Sequence, residues 1–82
     1  MEIEVKLYGV LRRHRPADKA GALHHPFAFW CEPGETAQSV LIRLGIDDGA
    51  VAAAAINQQN VALDTPLQPG DNLAFFPPSA GG

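Results

Sequence analysis

The residues whose types and order suggest chemistry are the last eight, Phe75-Phe76-Pro77-Pro78-Ser79-Ala80-Gly81-Gly82. Phe75 and Phe76 carry large apolar area that belongs against a core, and so fix where the chain leaves the globule. Pro77 and Pro78 each lock φ and cannot donate to a ladder, so a strand must stop there and leave in an extended direction. Gly81 and Gly82 have no Cβ. A chain end of that kind passes through a channel that any side chain would block, and lies flat against another protein's backbone. The reactive group on this reading is the carboxylate of Gly82, reached through the narrow run Ser79-Ala80-Gly81. A glycine-rich end is a frayed tail in an arbitrary protein, and Gly-Gly alone does not separate the two readings. An aromatic pair, a diproline and Gly-Gly in one run favour the reactive one.

Other chemistry is sparse. Cys31 is the one cysteine; without a second Cys or a spaced histidine it reads as core packing rather than as a nucleophile, and it excludes an internal disulfide framework. His24 and His25 are adjacent and lack further spaced ligands, so they read as solvent-facing and no metal site is assigned. No spaced carboxylate pair or phosphate-cradling loop is present, and no catalytic residue is assigned. The chain has 82 residues, 46% of them hydrophobic, which is one small domain with one core. A net charge of −3 argues against a nucleic-acid partner. Arg12, Arg13, Arg15 and Lys19 cluster beside His14 and read as a solvated loop, with a docking patch as the alternative. Nothing resembles a secretory signal, no apolar run approaches a membrane span, and a soluble protein of a reducing cytoplasm is expected.

The elements that would position the tail follow from pattern. Glu2 to Tyr8 alternates, with Ile3, Val5 and Leu7 on one face, as a half-buried strand does. Arg12 to Pro26 has no usable period and is punctuated by Pro16, Gly21 and Pro26, which predicts a surface loop. Phe27 to Cys31 predicts a second strand, with Phe27, Phe29 and Cys31 on one face. Thr36 is a good N-cap, Ala37, Val40, Leu41 and Leu44 form one apolar stripe, and Gly45 suits a left-handed close, so a helix is predicted over Ala37 to Leu44. Val61 to Leu63 predicts a brief strand, Pro69-Gly70 a type II bend, and Asn72 to Phe76 a final strand. One helix cannot cover itself, so its stripe must pack on one face of a sheet, which gives an α+β domain over residues 1–82 with a tail at 77–82.

The octet Phe75 to Gly82 resembles the C-terminus of the MoaD/ThiS sulfur carriers, most closely the molybdopterin type. Ile3 to Tyr8, Pro33 to Thr36, Leu41 to Ile46, Asn57, Leu63 to Leu67 and Pro69 to Asp71 also match that family's usual pattern. The resemblance implies a ubiquitin-like β-grasp fold, a mixed sheet on one short helix with the first and last strands parallel. It also settles the ambiguous Val51 to Ile56 run as a strand from about Ala53 to Asn57. Two departures are visible: Arg12 to Pro26 stands where many members have a helix, and Gln58 follows Asn57 where glycine is often seen. The resemblance implies that Gly82 is adenylated by a partner enzyme of the ubiquitin-activating (MoeB/ThiF-like) type using ATP, with no cofactor bound to the carrier itself. A thiocarboxylate then forms and delivers sulfur to an acceptor such as the molybdopterin synthase large subunit or thiazole synthase. On that reading Gly82 carries the sulfur, Ser79, Ala80 and Gly81 thread, and Phe75, Phe76, Pro77 and Pro78 anchor the tail and meet the partner. Two other classes fit the same end: a ubiquitin-like modifier that forms an isopeptide bond through Gly82, and a β-grasp interaction module whose tail does no chemistry.

Overall fold

A computed structural model describes residues 1–78. Five strands, β1 (Glu2–Leu7), β2 (Phe27–Trp30), β3 (Ala53–Ile56), β4 (Gln59–Val61) and β5 (Asn72–Phe76), form one sheet in the order β2-β1-β5-β3-β4. β1 and β5 are parallel neighbours and the other pairings are antiparallel. This is the β-grasp arrangement.

The helix α1 spans Ala37–Leu44, as the stripe predicts. Its first three amide donors are all accounted for. Ala37 N–H donates to Thr65 O (3.4 Å), Gln38 N–H to Leu63 O (2.8 Å) and Ser39 N–H to Thr36 Oγ1 (3.2 Å). Thr36 N–H in turn donates to Ser39 Oγ (3.0 Å), so a serine stands where a capping box usually has Glu or Gln. Gly45 closes the helix at φ 75°, a conformation that costs a residue with a Cβ. Ile46 N–H then returns to Leu41 O (2.9 Å), and Ile46 is buried.

The helix covers one sheet face. Ala37, Val40 and Leu41 meet Ile3, Val5, Leu7, Phe27, Ala54, Leu73 and Phe75 in a single core. Cys31 lies in that core with no solvent exposure, the packing role expected of it.

Four readings are corrected. First, Arg12 to Pro26 is not wholly irregular, because a 3-10 turn spans Gly9–His14 and buries Leu11 at 1% exposure. Leu11 alone was too little apolar signal to show a period. Second, Arg15 is not a solvated charge. It is 8% exposed and donates from Nη1 to Lys19 O (2.9 Å), from Nη2 to Ala20 O (2.6 Å) and from Nε to His25 O (3.3 Å), with its guanidinium over the Phe27 ring. The loop winds around it because a guanidinium can satisfy several carbonyls that lack a ladder partner. Third, β4 is Gln59–Val61 rather than Val61 to Leu63, and β3 ends at Ile56. Ile56 pairs with Gln59, so the hairpin turn is only Asn57-Gln58, both at positive φ (51° and 72°). Fourth, β1 and β2 each stop one residue short of their predicted ends, at Leu7 and Trp30. Among the described residues no helix is long and apolar enough to cross a membrane.

Candidate functional site at the root of the tail

β5 carries the chain to the tail from the middle of the sheet, held on both sides up to its last residues. Tyr8 N–H donates to Phe75 O (3.2 Å) on the β1 side, and Ala52 N–H donates to Phe76 O (2.8 Å) on the β3 side. Pro77 has no N–H to continue the ladder, so pairing ends there. The direction of the tail is thus set by a five-stranded sheet rather than by a loop.

The two phenylalanines divide between the faces, because side chains alternate along a strand. Phe75 is fully buried in the core. Phe76 does not join it, contrary to the reading that places both against the core. It lies half-buried on the open face and stacks on Tyr8, ring centroids 4.4 Å apart and planes at 18°. Lys6 Nζ sits 4.9 Å from the Tyr8 ring centroid. With Ala55 and Ala74 these side chains line a shallow hollow on the uncovered sheet face at the tail's root.

Pro77 rests against Gly9, the first residue of the 3-10 turn. A Cβ built on Gly9 would stand 2.9 Å from Pro77 Cγ, and Gly9 has φ 55°, so both space and backbone call for glycine there. Pro78 is exposed. Ser79, Ala80, Gly81 and Gly82, the threading and sulfur-carrying positions, lie outside the described residues.

Sequence reasoning missed Tyr8, Lys6 and Gly9 as parts of this root. The signal was present for Tyr8, since it is the one aromatic on the face of β1 that otherwise carries Glu2, Glu4 and Lys6.

Elsewhere the chemistry is structural. Burial pushes the Cys31 thiol above its ordinary pKa, Glu35 adds to that, and Arg43, whose Nη1 is 4.0 Å from Sγ, opposes it. A neutral buried thiol is a poor nucleophile. The His24 and His25 rings meet edge to face at 4.4 Å between centroids. Among the described residues no three His, Cys, Asp or Glu side chains converge. What the described residues offer is a strand end held on both sides by the sheet, with an apolar and aromatic surface beside it.

Comparison with known proteins gives the same picture from a different direction. SAMP1 from Haloferax volcanii shares the fold, with a TM-score of 0.71 over the whole of both chains at 21% identity. A complex of subunits 1 and 2 of molybdopterin-converting factor from Helicobacter pylori 26695 contains a chain that matches at TM-score 0.55 and 25% identity, again over the whole of both chains. In sequence, 46 residues are 50% identical to the molybdopterin synthase sulfur carrier subunit of Escherichia coli K12, and the match spans 56% of each chain. It therefore extends over little more than half the length of that curated relative. The ThiS family model matches residues 25–82, well over half of this sequence and including the entire tail, and the chain belongs to the ThiS family.

Proposed function

We propose that this protein is a sulfur carrier in molybdopterin synthesis, a protein co-substrate rather than an enzyme. The observation that carries the reading is the family match running through Gly82, on a chain half identical over 46 residues to the molybdopterin synthase sulfur carrier subunit of E. coli. That relative favours the molybdopterin branch over thiamine thiazole. The root geometry supports it: Phe75 fixes the strand, Pro77 and Pro78 keep the exit extended, and the Tyr8–Phe76 stack gives a partner a surface to dock on.

In the proposed cycle an oxygen of the Gly82 carboxylate attacks the α-phosphorus of ATP on an adenylating partner of the ubiquitin-activating type, and pyrophosphate leaves. The carbonyl is now electrophilic, since AMP is a good leaving group where oxide is not. Hydrosulfide attacks that carbon, the C–O bond to AMP breaks, and Gly82 ends in a thiocarboxylate. Transfer of the sulfur to an intermediate on an acceptor enzyme, the molybdopterin synthase large subunit, restores the carboxylate with an oxygen from water. This chain's own part is to present the terminus. Pre-extension at Pro77 and Pro78 lowers the ordering cost of entering a narrow partner site, and Gly81 with Ala80 and Ser79 keeps the entering segment thin.

The test is an intact mass after incubation with ATP, sulfide and the adenylating enzyme of the same organism, with the modified residue found by fragmentation. The expected result is exchange of one oxygen for one sulfur at Gly82, and discharge of that sulfur when the large subunit and its substrate are added. No exchange, with the same enzyme active on another carrier, would overturn the proposal.

A further inference from the structure

The edge strand β2 has a hydrogen-bonding pattern that complements itself. Met1 and Cys31 exchange two bonds, from the Met1 amino group to Cys31 O (2.7 Å) and from Cys31 N–H to Met1 O (2.8 Å). In an antiparallel pair the inward-bonding residues alternate. Phe29 and Phe27, opposite Ile3 and Val5, therefore bond to β1, while Ala28 and Trp30 aim their main-chain groups away from it. The parity on β1 agrees: Glu4 N–H goes to Asp71 O and Gly70 N–H to Glu2 O, toward β5. Of the outward groups, Trp30 O is taken by Arg43 Nη1 at 2.8 Å. Ala28 N–H, Ala28 C=O and Trp30 N–H have no partner among the described residues.

Apart from Arg43 at Trp30 O, this edge is also little defended by its own residues. Soluble proteins blunt sheet edges with charge, proline or a bulge. Phe27-Ala28-Phe29-Trp30 has none of these, and Trp30 is 61% exposed.

We infer that β2 pairs antiparallel with β2 of a second copy, with Ala28 opposite Ala28. That register exchanges two bonds between the alanines. It also sets Trp30 opposite Pro26 of the second copy, which needs a single bond, from Trp30 N–H to Pro26 O. Pro26 has no N–H to donate, and Trp30 O is already supplied by Arg43, so each residue lacks what the other does not need. Pro26 lines the open face beside Lys6, its neighbour by continuation of the β1–β2 register. Each indole thus lies across from a proline ring on that face, and Phe27 lies across from Phe29 on the other. The alternative register, with Ala28 opposite Trp30, asks Trp30 O to accept twice and leaves Pro26 unpaired.

Glu4 of the two copies would be three strand spacings apart, about 14 Å, beyond the screening length in physiological salt. The two β5 strands would be five spacings apart, about 24 Å, and the tails would leave from opposite ends of the joined sheet, so pairing does not obstruct them. A four-residue seam is smaller than a standard interface, so the association is weak and concentration-dependent.

The experiment is sedimentation velocity of the full chain at rising concentration, up to about 1 mM, with backbone amide hydrogen exchange followed by NMR over the same series. The expected result is growth of a dimer in step with slowed exchange at Ala28 and Trp30. Ala28→Pro removes an N–H that β1 does not use. It should leave the Ile3 and Val5 amides protected while abolishing the dimer. Trp30→Lys, a second variant that leaves the ladder intact, should weaken the dimer strongly. A monomer at every concentration, or a dimer that survives Ala28→Pro with the β1–β2 ladder intact, would overturn the inference, as would slowed exchange at β4 in place of β2.

Discussion

Glu35 ties the strand-to-helix turn together through one carboxylate. It accepts Glu32 N–H (2.8 Å) and pairs with Arg43 (2.9 Å), which reaches back to Trp30 O and lies over the Phe29 ring. The Glu32 amide, helped by Arg43 and Ser39 and opposed by partial burial, holds the Glu35 carboxyl below its ordinary 4.5. A depressed folded-state pKa stabilises the fold above the ordinary value, and that contribution is lost as pH falls through the lowered one. Arg43 is 43% exposed, which keeps the ion pair's share to about 0.5 kcal/mol. Glu35→Gln is therefore expected to lower stability modestly at neutral pH, measured by urea unfolding. The gap to the parent protein should close as the parent takes up its proton in the acid range. A gap unchanged down to acid pH would show that the carboxylate charge is not what matters. At this scale Cys31 was legible and Arg15 was not. A lone cysteine on an apolar strand face announces packing by itself. Arg15 is buried only because Lys19, Ala20 and His25 turn their carbonyls toward it, and no local pattern encodes that.

The helix and the β3–β4 hairpin show what makes an element readable. For α1, cap, stripe and closing glycine are all local signals, and its bounds follow from them. The hairpin misled because strands expected at about Ala53 to Asn57 and at Val61 to Leu63 leave the polar Gln58-Gln59-Asn60 between them as a turn, whereas the chain turns on Asn57-Gln58 and spends Gln59 and Asn60 on an edge strand exposed on both faces. Such a two-residue turn needs positive φ at both positions. Asn57 tolerates this, and its side chain is further used: Nδ2 donates to Asp71 Oδ1 (3.0 Å) and Oδ1 accepts Asn72 N–H (3.0 Å), tying the turn to the start of β5. Gln58, at φ 72°, has a Cβ in a left-handed conformation. Gln58→Gly is expected to stabilise the fold by about 1 kcal/mol, the relief of strain less the added freedom of the unfolded chain. Gln58→Val should destabilise it. Urea midpoints decide this, and a glycine variant no more stable than the parent would mean the turn carries no strain.

At the scale of the molecule, the fold brings the end of β5 out of the middle of an open five-stranded sheet, with a paired strand on either side to set its direction. The sequence showed that end plainly but could not show that consecutive phenylalanines serve different masters, since the face each occupies depends on what the helix covers. Phe75 belongs to the core. Phe75→Ala should cost about 3–5 kcal/mol, a large part of the stability of so small a domain. Phe76 belongs to the surface beside the tail. Phe76→Ala forfeits the stack on Tyr8, about 0.5–1.5 kcal/mol, and little of the core. Carrier function should respond in the opposite order. In a saturation series with the proposed adenylating partner, Phe76→Ala is expected to raise the carrier concentration needed for half-maximal rate, because the proposed docking surface is lost while the sequence from Pro77 to Gly82 is unchanged. Phe75→Ala, measured where it remains folded, should alter that concentration much less. Equal loss in both variants after correction for folded fraction would mean that Phe76 acts only through stability. A Phe76→Ala carrier indistinguishable from the parent would remove the Tyr8–Phe76 surface from the site and leave recognition to the tail.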